Sequence, residues 1–429
     1  MWGLRAIAAA MLPNIAPHLR PWCSPAMSSQ SSSVDSSHGA QHAIPRNVAI
    51  GCAAAGFGAF INMWCTQPIL PVLAQSLHAG LAATNNTVTA PLVATALIAP
   101  FSGALSDRFG RKIFICGAAF LLVLPTLLAA MAQSLAVLTA SRFAQGLLLP
   151  FIFTVTIAYM ADEFPPATAT KLAGIYLSGT ISGGFSGRLI SGFVTEFFGW
   201  RAAFLTVGCI SLAVALLVLF LLPRERQFRP VTGWAQALRS FPGHLTNPRL
   251  LANYLIGFGV LFSLVCVFTF LNFRLAAAPY WLGPAALGSI FVTYLGGVAI
   301  SPVAGRIAAL RGRRPVMLAA FLVNMAGLTL TLLAPLPFIL AGILLLCLGI
   351  FTQQTIATGY TGIAARSAKS TAAGLYVTAY YIGGSCGGIL PNAAWHATGW
   401  PGCAAITAAV QIIMLATAWL LYRWHPAHP

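Results

Sequence analysis

The sequence predicts an all-α integral membrane protein of twelve transmembrane helices, arranged as two six-helix parallel repeats. Three observations lead there. Of 429 residues, 58% are hydrophobic and only 7% charged, whereas a soluble domain carries roughly 25% charged residues. Twelve stretches are apolar enough to cross a bilayer. The second half of the chain also repeats landmarks of the first, about 200 residues on. This composition excludes an ordinary soluble globule, and it excludes disorder, which needs low hydrophobicity and high charge.

The elements follow in order. Residues 1–45 differ from the rest. An apolar dozen, MWGLRAIAAAML, is followed by Pro13, Pro17, Pro21 and Pro25, which break any helix, and then by SSQSSSVDSS. The expectation is a disordered cytoplasmic tail. Its apolar core is short for a signal peptide, and Met27 is a second candidate start. Crossing about 30 Å of hydrocarbon takes roughly 20 apolar residues. Runs of that kind fall at 47–73, 87–106, 112–132, 135–158, 171–193 and 202–222, then at 250–272, 285–306, 315–334, 337–359, 372–394 and 402–423. The longest break, 223–249, is polar and holds five Arg. It reads as a cytoplasmic linker between one bundle at 46–222 and a second at 250–423, with a short cytoplasmic tail at 424–429.

Basic residues set the orientation, because cytoplasmic loops retain Lys and Arg. With the N-terminus cytoplasmic, 19 of the 23 basic residues fall inside, and only Arg142, Arg188, Arg201 and Arg274 lie toward the outside. Both termini are therefore expected in the cytoplasm, with the protein in the inner (plasma) membrane of the cell. The net charge of +17 arises against six acids, Asp35, Asp107, Asp162, Glu163, Glu196 and Glu225. The bases sit in short clusters between apolar runs and form no basic domain, so nucleic acid is not an expected partner. The expected partners are the lipid bilayer and a small-molecule substrate, and the expected state is a monomer. Nine scattered cysteines form no CxxC pair and have no His at zinc-ligand spacing. No metal or cofactor is expected.

The repeat is specific. At a spacing of 200, Gly174, Tyr176, Gly183, Gly184, Gly187, Gly199 and Trp200 match Gly374, Tyr376, Gly383, Gly384, Gly387, Gly399 and Trp400. At 202, Gly103 and Gly110 match Gly305 and Gly312. Parallel repeats of this kind meet at a central cavity and rock about it.

The segment GALSDRFGRK (103–112) after span two resembles the motif between helices two and three of the major facilitator superfamily. SRFAQG (141–146) is similar to its helix-four motif. SGTISGGFSGR (178–188) is similar to the Gly-rich helix-five motif of proton-antiporting exporters, though it lacks their usual Pro. QPILPVL (67–73), SGRLISG (186–192) and LYVTAYYIGGS (375–385) resemble the bacterial arabinose-efflux-like permeases of the drug/proton antiporter type. The likeness covers 46–423. It implies the major facilitator fold, an exporter, and a gate built from Gly103, Asp107, Arg108, Gly110 and Arg111, with Gly305, Gly312 and Arg313 in the second copy. Asp107 would face the positive N-terminal end of helix eleven near Ser370 and Thr371, latching the outward-facing state. The bases of these loops also serve simply as orientation signals. Ala309 and Leu310 stand where Asp107 and Arg108 stand in the first copy, so the second half is expected to latch less strongly.

Gly179, Gly183 and Gly187 recur on one face of span five, and Gly383 and Gly387 repeat the device in span eleven. Small residues at this spacing let helices approach closely, and the span-five face is also expected to slide against span eight. Arg142 and Arg188 stand at bilayer depth, where a charge costs at least about 2.5 kcal/mol and turns to water or a partner. They are read as cavity residues, against snorkelling to the outer interface. Asn62, Gln67, Gln145, Asn272, Tyr294, Gln353, Gln354, Tyr380 and Tyr381 join them as candidates, the aromatics also serving as packing. Adjacent Gln353 and Gln354 cannot both face a cavity squarely. Pro68 and Pro71 bend the outer end of span one, as a plain helix end or a gating hinge.

The function expected is a secondary transporter exporting a small polar or anionic solute. No carboxylate or His lies at mid-span, so proton coupling would fall to an edge carboxylate: Asp107, Glu163 or Glu196. A uniporter and a non-transporting transceptor of the same fold remain alternatives. A membrane enzyme would need a reactive cluster at depth, and the sequence has none, nor a Walker-type ATP loop.

Overall fold

A computed structural model describes residues 44–225, 243–365 and 369–422. All but the last two residues of the expected tail 1–45, the central part of the linker, and the expected tail 424–429 lie outside the described residues. Among the described residues there is no strand. Ten helices among them are long and apolar enough to cross a membrane. One of them, Pro166–Leu221, runs for 56 residues and breaks at Gly199, whose φ of +82° is not helical, so it supplies spans five and six. Span eleven is the 21-residue helix Lys369–Ile389, roughly 31 Å at about 1.5 Å per residue.

Several helices outrun their apolar cores. Span two is the helix Leu81–Phe109 rather than 87–106. Its N-terminal extension, 81–86, carries Thr84 and Asn85, both buried. Asn85 faces protein instead of lipid: its amide donates to Gly388 O of span eleven at 3.4 Å and to Asn392 Oδ1, just beyond that span, at 3.1 Å. Hydropathy cannot see a span that is polar because its neighbour is protein. Span one ends as regular helix at Trp64, passes through a 3-10 turn at Gln67–Ile69 and resumes at Leu70–Ser76. Span eight likewise begins as Pro284–Ser289, passes a 3-10 turn and continues as Thr293–Arg311. Span seven is Pro248–Ala276.

The two halves use the same pairings. Spans one and five pack together, as do two and four, three and four, and three and six. Seven and eleven, eight and ten, nine and ten, and nine and twelve repeat the pattern. The halves meet where span two lies on span eleven and span five on span eight. Glycine explains part of the repeat. Gly110 and Gly312 turn the chain at φ +105° and +86°, and Gly199 and Gly399 do so at +82° and +70°. A Cβ disfavours that region of backbone space, so the paired turns need glycine.

The small-residue faces also have a backbone reason. A Cβ on Gly179, Gly183 or Gly187 would collide with the carbonyls of Ala53, Phe57 and Ile61 in span one. On Gly383 and Gly387 it would collide with those of Phe258 and Phe262 in span seven. This corrects the expected sliding contact. The glycine face of span five is pressed on span one, inside its own half. Span eight is met instead through Gly192 and Gly288, packed against the Pro284 and Arg188 carbonyls.

Candidate functional site

Prolines inside helices shape this region. A proline has no N–H, so the carbonyl four residues before it loses its helical partner. Pro91 and Pro150 free the carbonyls of Thr87 and Gly146, and the carbonyl of Gln67 stands in the 3-10 turn ahead of Pro71, outside regular α-helix. Each is taken by a side chain of another span: Asn272 Nδ2 donates to Gln67 O at 2.9 Å, Arg142 Nε to Thr87 O at 3.0 Å, and Thr95 Oγ1 to Gly146 O at 3.1 Å. Buried backbone groups are rarely left unpaired, so these side chains finish the bent helices.

Arg142 is fully buried. Besides Thr87 O, it donates to Asn62 O and Met63 O, each at 2.7 Å, at the point where span one stops being regular helix. A further N–H goes to Gln145 Oε1. The knot continues through Thr126, which donates to Asn62 Oδ1 at 2.8 Å and accepts from Gln145 Nε2 at 2.8 Å. Asn62 Nδ2 reaches Ser211 Oγ at 2.7 Å. Asn62, Arg142 and Gln145, expected in a cavity, thus join spans one, two, three, four and six within the first half. The second half has a counterpart without the cation. Gln353 and Asn324 converge on Gln411 Oε1 at 2.7 and 3.1 Å, and Gln411 Nε2 donates to Ser263 Oγ at 3.0 Å. Gln353 is therefore bound up inside spans seven, nine, ten and twelve. Its neighbour Gln354 faces the other way and donates to the Tyr380 hydroxyl at 3.3 Å.

Arg188 differs in kind. It is 1% exposed, in the contact between the halves. Trp64 of the first half and Phe291 and Tyr294 of the second surround its guanidinium, with ring centroids at 4.6, 4.5 and 4.8 Å. Nε donates to Gln67 Oε1 at 2.8 Å and Nη1 to Gly184 O at 2.9 Å. Nη2 has no hydrogen-bond partner among the described residues, and neither has Gln67 Nε2 beside it. Each cation–π contact offsets about 0.5–2 kcal/mol of the desolvation cost, but the charge remains without a counter-ion. Tyr380 and Tyr381 continue the aromatic wall. Their rings lie 5.5 Å apart, and Tyr381 reaches Phe153 of the first half at 5.9 Å. What the arrangement offers is a buried cation with a free N–H, walled by aromatics and held between two bodies.

Around Gln67 the halves are drawn tight. Asn272 bonds to Gln67, Asn85 bonds to Asn392, and Glu196 Oε2 accepts from Ala285 N at 3.2 Å, capping the start of span eight. The carboxylate also fills the space a side chain on Gly283 would need. At the opposite end a Cβ on Gly103, Gly174, Gly359 or Gly374 would meet nothing within 4 Å.

That opposite end holds the gate motif. The side chains of Asp107, Lys369 and Ser370 lie outside the described residues, and with them the expected latch. Arg111 pairs with Asp162, Nη2–Oδ2 at 2.5 Å, tying the start of span three to the end of span four. Lys112 N donates to Glu225 Oε1 at 2.5 Å, so an acid just after span six caps span three. Arg313 lies over Tyr360 at 5.2 Å. Arg108 and Ile307 are exposed, while Gly305 lies near Thr355.

The Major Facilitator Superfamily family matches residues 52–298. The chain belongs to the major facilitator superfamily. The Inner membrane transport protein YnfM of Escherichia coli strain K12 is 36% identical to it over 380 residues, covering 88% of this chain and 90% of that protein. The MFS-type transporter YybF of Bacillus subtilis strain 168 is 29% identical over 378 residues, covering 87% and 92%. A solved structure of a mutant of the nucleoside transporter NupG matches with a TM-score of 0.71 at 13% identity, covering 88% of this chain and 100% of that one. As a member of the superfamily, this chain is a multi-pass membrane transporter of small molecules, and not an enzyme.

Sequence reasoning reached Arg188, Gln67, Asn272, Tyr294, Gln354 and the tyrosine pair. It missed Trp64 and Phe291, which form two sides of the cation box, and Asn324, Gln411 and Glu225. Asn324 and Gln411 could have been found as polar residues inside spans. Nothing local marks Glu225, whose partner is 113 residues away.

Proposed function

We propose that this superfamily member is a secondary transporter of a small anionic or polyhydroxyl solute, working by alternating access in the export direction. It acts as a monomer in the bacterial inner membrane with both termini cytoplasmic. The observation carrying the reading is Arg188: a buried cation between the halves, with an unpartnered Nη2 and no carboxylate paired with it among the described residues. An anionic group delivered to Nη2 would supply the missing counter-charge, and a charge-assisted hydrogen bond contributes about 1.5–3 kcal/mol. The end near Gln67 is taken as periplasmic and closed, and the end near Arg111 as cytoplasmic, from which the solute enters.

Rocking would exchange the two ends. The Asn272–Gln67, Asn85–Asn392 and Glu196–Ala285 contacts all cross between halves, so all must break for the Gln67 end to open. Trp64 and the Phe291–Tyr294 pair belong to different halves, so opening also takes the cation box apart and weakens the hold on the solute. Glu196 is the proton-coupling candidate this geometry favours over Asp107 and Glu163, because neutralising it removes the charge that caps span eight across the interface.

A thermal-shift screen of purified protein against organic anions, sugars and neutral drugs tests the reading. Organic anions should stabilise the wild type, and Arg188→Gln should remove that shift. A stabilising anion whose shift persists in Arg188→Gln rules out Arg188 as its anchor.

A further inference from the structure

A second feature lies outside the transport site, on the side of the second half. Spans eight, nine and ten enclose a crevice of about 350 Å³, at the small end of ligand pockets. Its walls are apolar, with Ile300, Ala304 and Ile307 of span eight, Val316 and Ala319 of span nine, and Leu348 of span ten. Ile307 is 40% exposed and Ala319 is exposed, so the crevice opens sideways toward the bilayer and not into the contact between the halves.

Its one charged lining residue is Arg311, the last residue of the span-eight helix. The neighbouring bases are engaged with aromatic rings, Arg313 over Tyr360 at 5.2 Å and Arg314 over Trp419 at 5.6 Å. Arg311 has no ion-pair or hydrogen-bond partner among the described residues. From Arg311 back to Ile300 the helix rises about 16 Å, close to half of the roughly 30 Å hydrocarbon core. The crevice is therefore one leaflet deep, apolar along its length, and charged only at headgroup level.

We propose that this crevice is a binding site for an anionic phospholipid, with one acyl chain lying along spans eight to ten and the phosphate on Arg311. Depth and charge together select this occupant. A soluble anion has no use for the apolar walls, and a zwitterionic lipid would leave the guanidinium opposite a headgroup of no net charge. Because spans eight and ten belong to the half that rocks, a lipid wedged between them and span nine would bias the packing of that half. The proposal is independent of the assignment of Arg188.

The test uses the full-length protein in a neutral detergent, titrated with phosphatidylglycerol, with phosphatidylcholine of the same chains, and with glycerol 3-phosphate, reading the thermal midpoint. Phosphatidylglycerol should stabilise the wild type most, and glycerol 3-phosphate should do nothing. Arg311→Gln should weaken the apparent affinity for phosphatidylglycerol about fivefold, the share expected of one basic residue at a membrane surface. Ala319→Trp, which fills the crevice, should abolish the response to both lipids. Arg306→Gln, one turn away but outside the lining, should leave it unchanged. An unaltered response in Arg311→Gln, an equal loss in Arg306→Gln, or stabilisation by glycerol 3-phosphate alone would each overturn the proposal. Should Ala319→Trp fail to fold, the two arginine variants still decide it.

Discussion

Arg142 and Arg188 look alike in sequence, yet the structure gives them opposite work, and Arg142→Leu separates them. The substitution removes a guanidinium that satisfies Thr87 O, Asn62 O and Met63 O. Thr87 O cannot recover a helical partner, because Pro91 has no N–H. Met63 O sits where span one leaves helical geometry. Leaving a buried acceptor unsatisfied costs about 1–3 kcal/mol, so two such carbonyls give roughly 2–6 kcal/mol, partly offset because a buried charge is also removed. At a few degrees per kcal/mol for large domains, the thermal midpoint should fall by about 5 °C or more. The assay is thermal unfolding of the purified protein, followed by a thiol dye reporting the buried cysteines Cys52, Cys65 and Cys116. An anion that stabilises the wild type should still stabilise the folded fraction of Arg142→Leu. If the variant keeps the wild-type midpoint but no longer responds to the anion, Arg142 is a ligand residue and the knot around it has been misread.

Three further outcomes are expected. Gly183→Leu and Gly383→Leu each drive a side chain into a backbone carbonyl of the neighbouring helix, Phe57 or Phe258, and should abolish folded protein as judged by size-exclusion profile. Gly383→Leu tolerated at wild-type yield would contradict the observed helix spacing. Glu196→Gln removes the charged cap across the closed end, and helix-terminal charges contribute about 0.3–1 kcal/mol. Labelling of a cysteine placed at Leu287, buried at the start of span eight, should rise by about two- to fivefold in that background, and unchanged labelling would mean that Glu196 is not part of the closure. Gly199→Ala forces a Cβ into a backbone region, φ +82° and ψ +163°, open essentially to glycine alone, with ample space around it, so it should cost about 1–3 kcal/mol and no more. A larger loss in thermal unfolding would point to a tighter turn than the one seen.

Much of the fold could be read from periodicity and repetition, because both are local or self-referential. Apolar runs located the spans, and Gly110, Gly199, Gly312 and Gly399 kept their register because each makes a turn that a Cβ resists. What failed was lateral information. The face formed by Gly179, Gly183 and Gly187 announces close packing but not its partner, which is span one rather than span eight. Residues 81–86 of span two read as loop because they are polar, and the partners of Asn85, Gly388 and Asn392, stand more than 300 positions away. The site divides the same way. A buried Arg in a span is conspicuous, but whether it binds a solute or repairs a bent helix depends on which proline-freed carbonyls stand nearby. Pro91 and Pro150 were visible in the sequence. The partners of their freed carbonyls, Arg142 and Thr95, belong to other spans and were not.

The most direct test is flux of the stabilising anion in proteoliposomes containing wild type, Arg188→Gln or Arg188→Lys. Lysine keeps the charge but loses the planar fork that bonds Gln67 and Gly184 while leaving Nη2 free. With Arg188 as the anchor, flux falls to background in Arg188→Gln and by about 10-fold or more in Arg188→Lys, the loss expected for a charge-assisted hydrogen bond of about 1.5 kcal/mol. Wild-type flux in Arg188→Gln would contradict a transport cycle built on this buried cation.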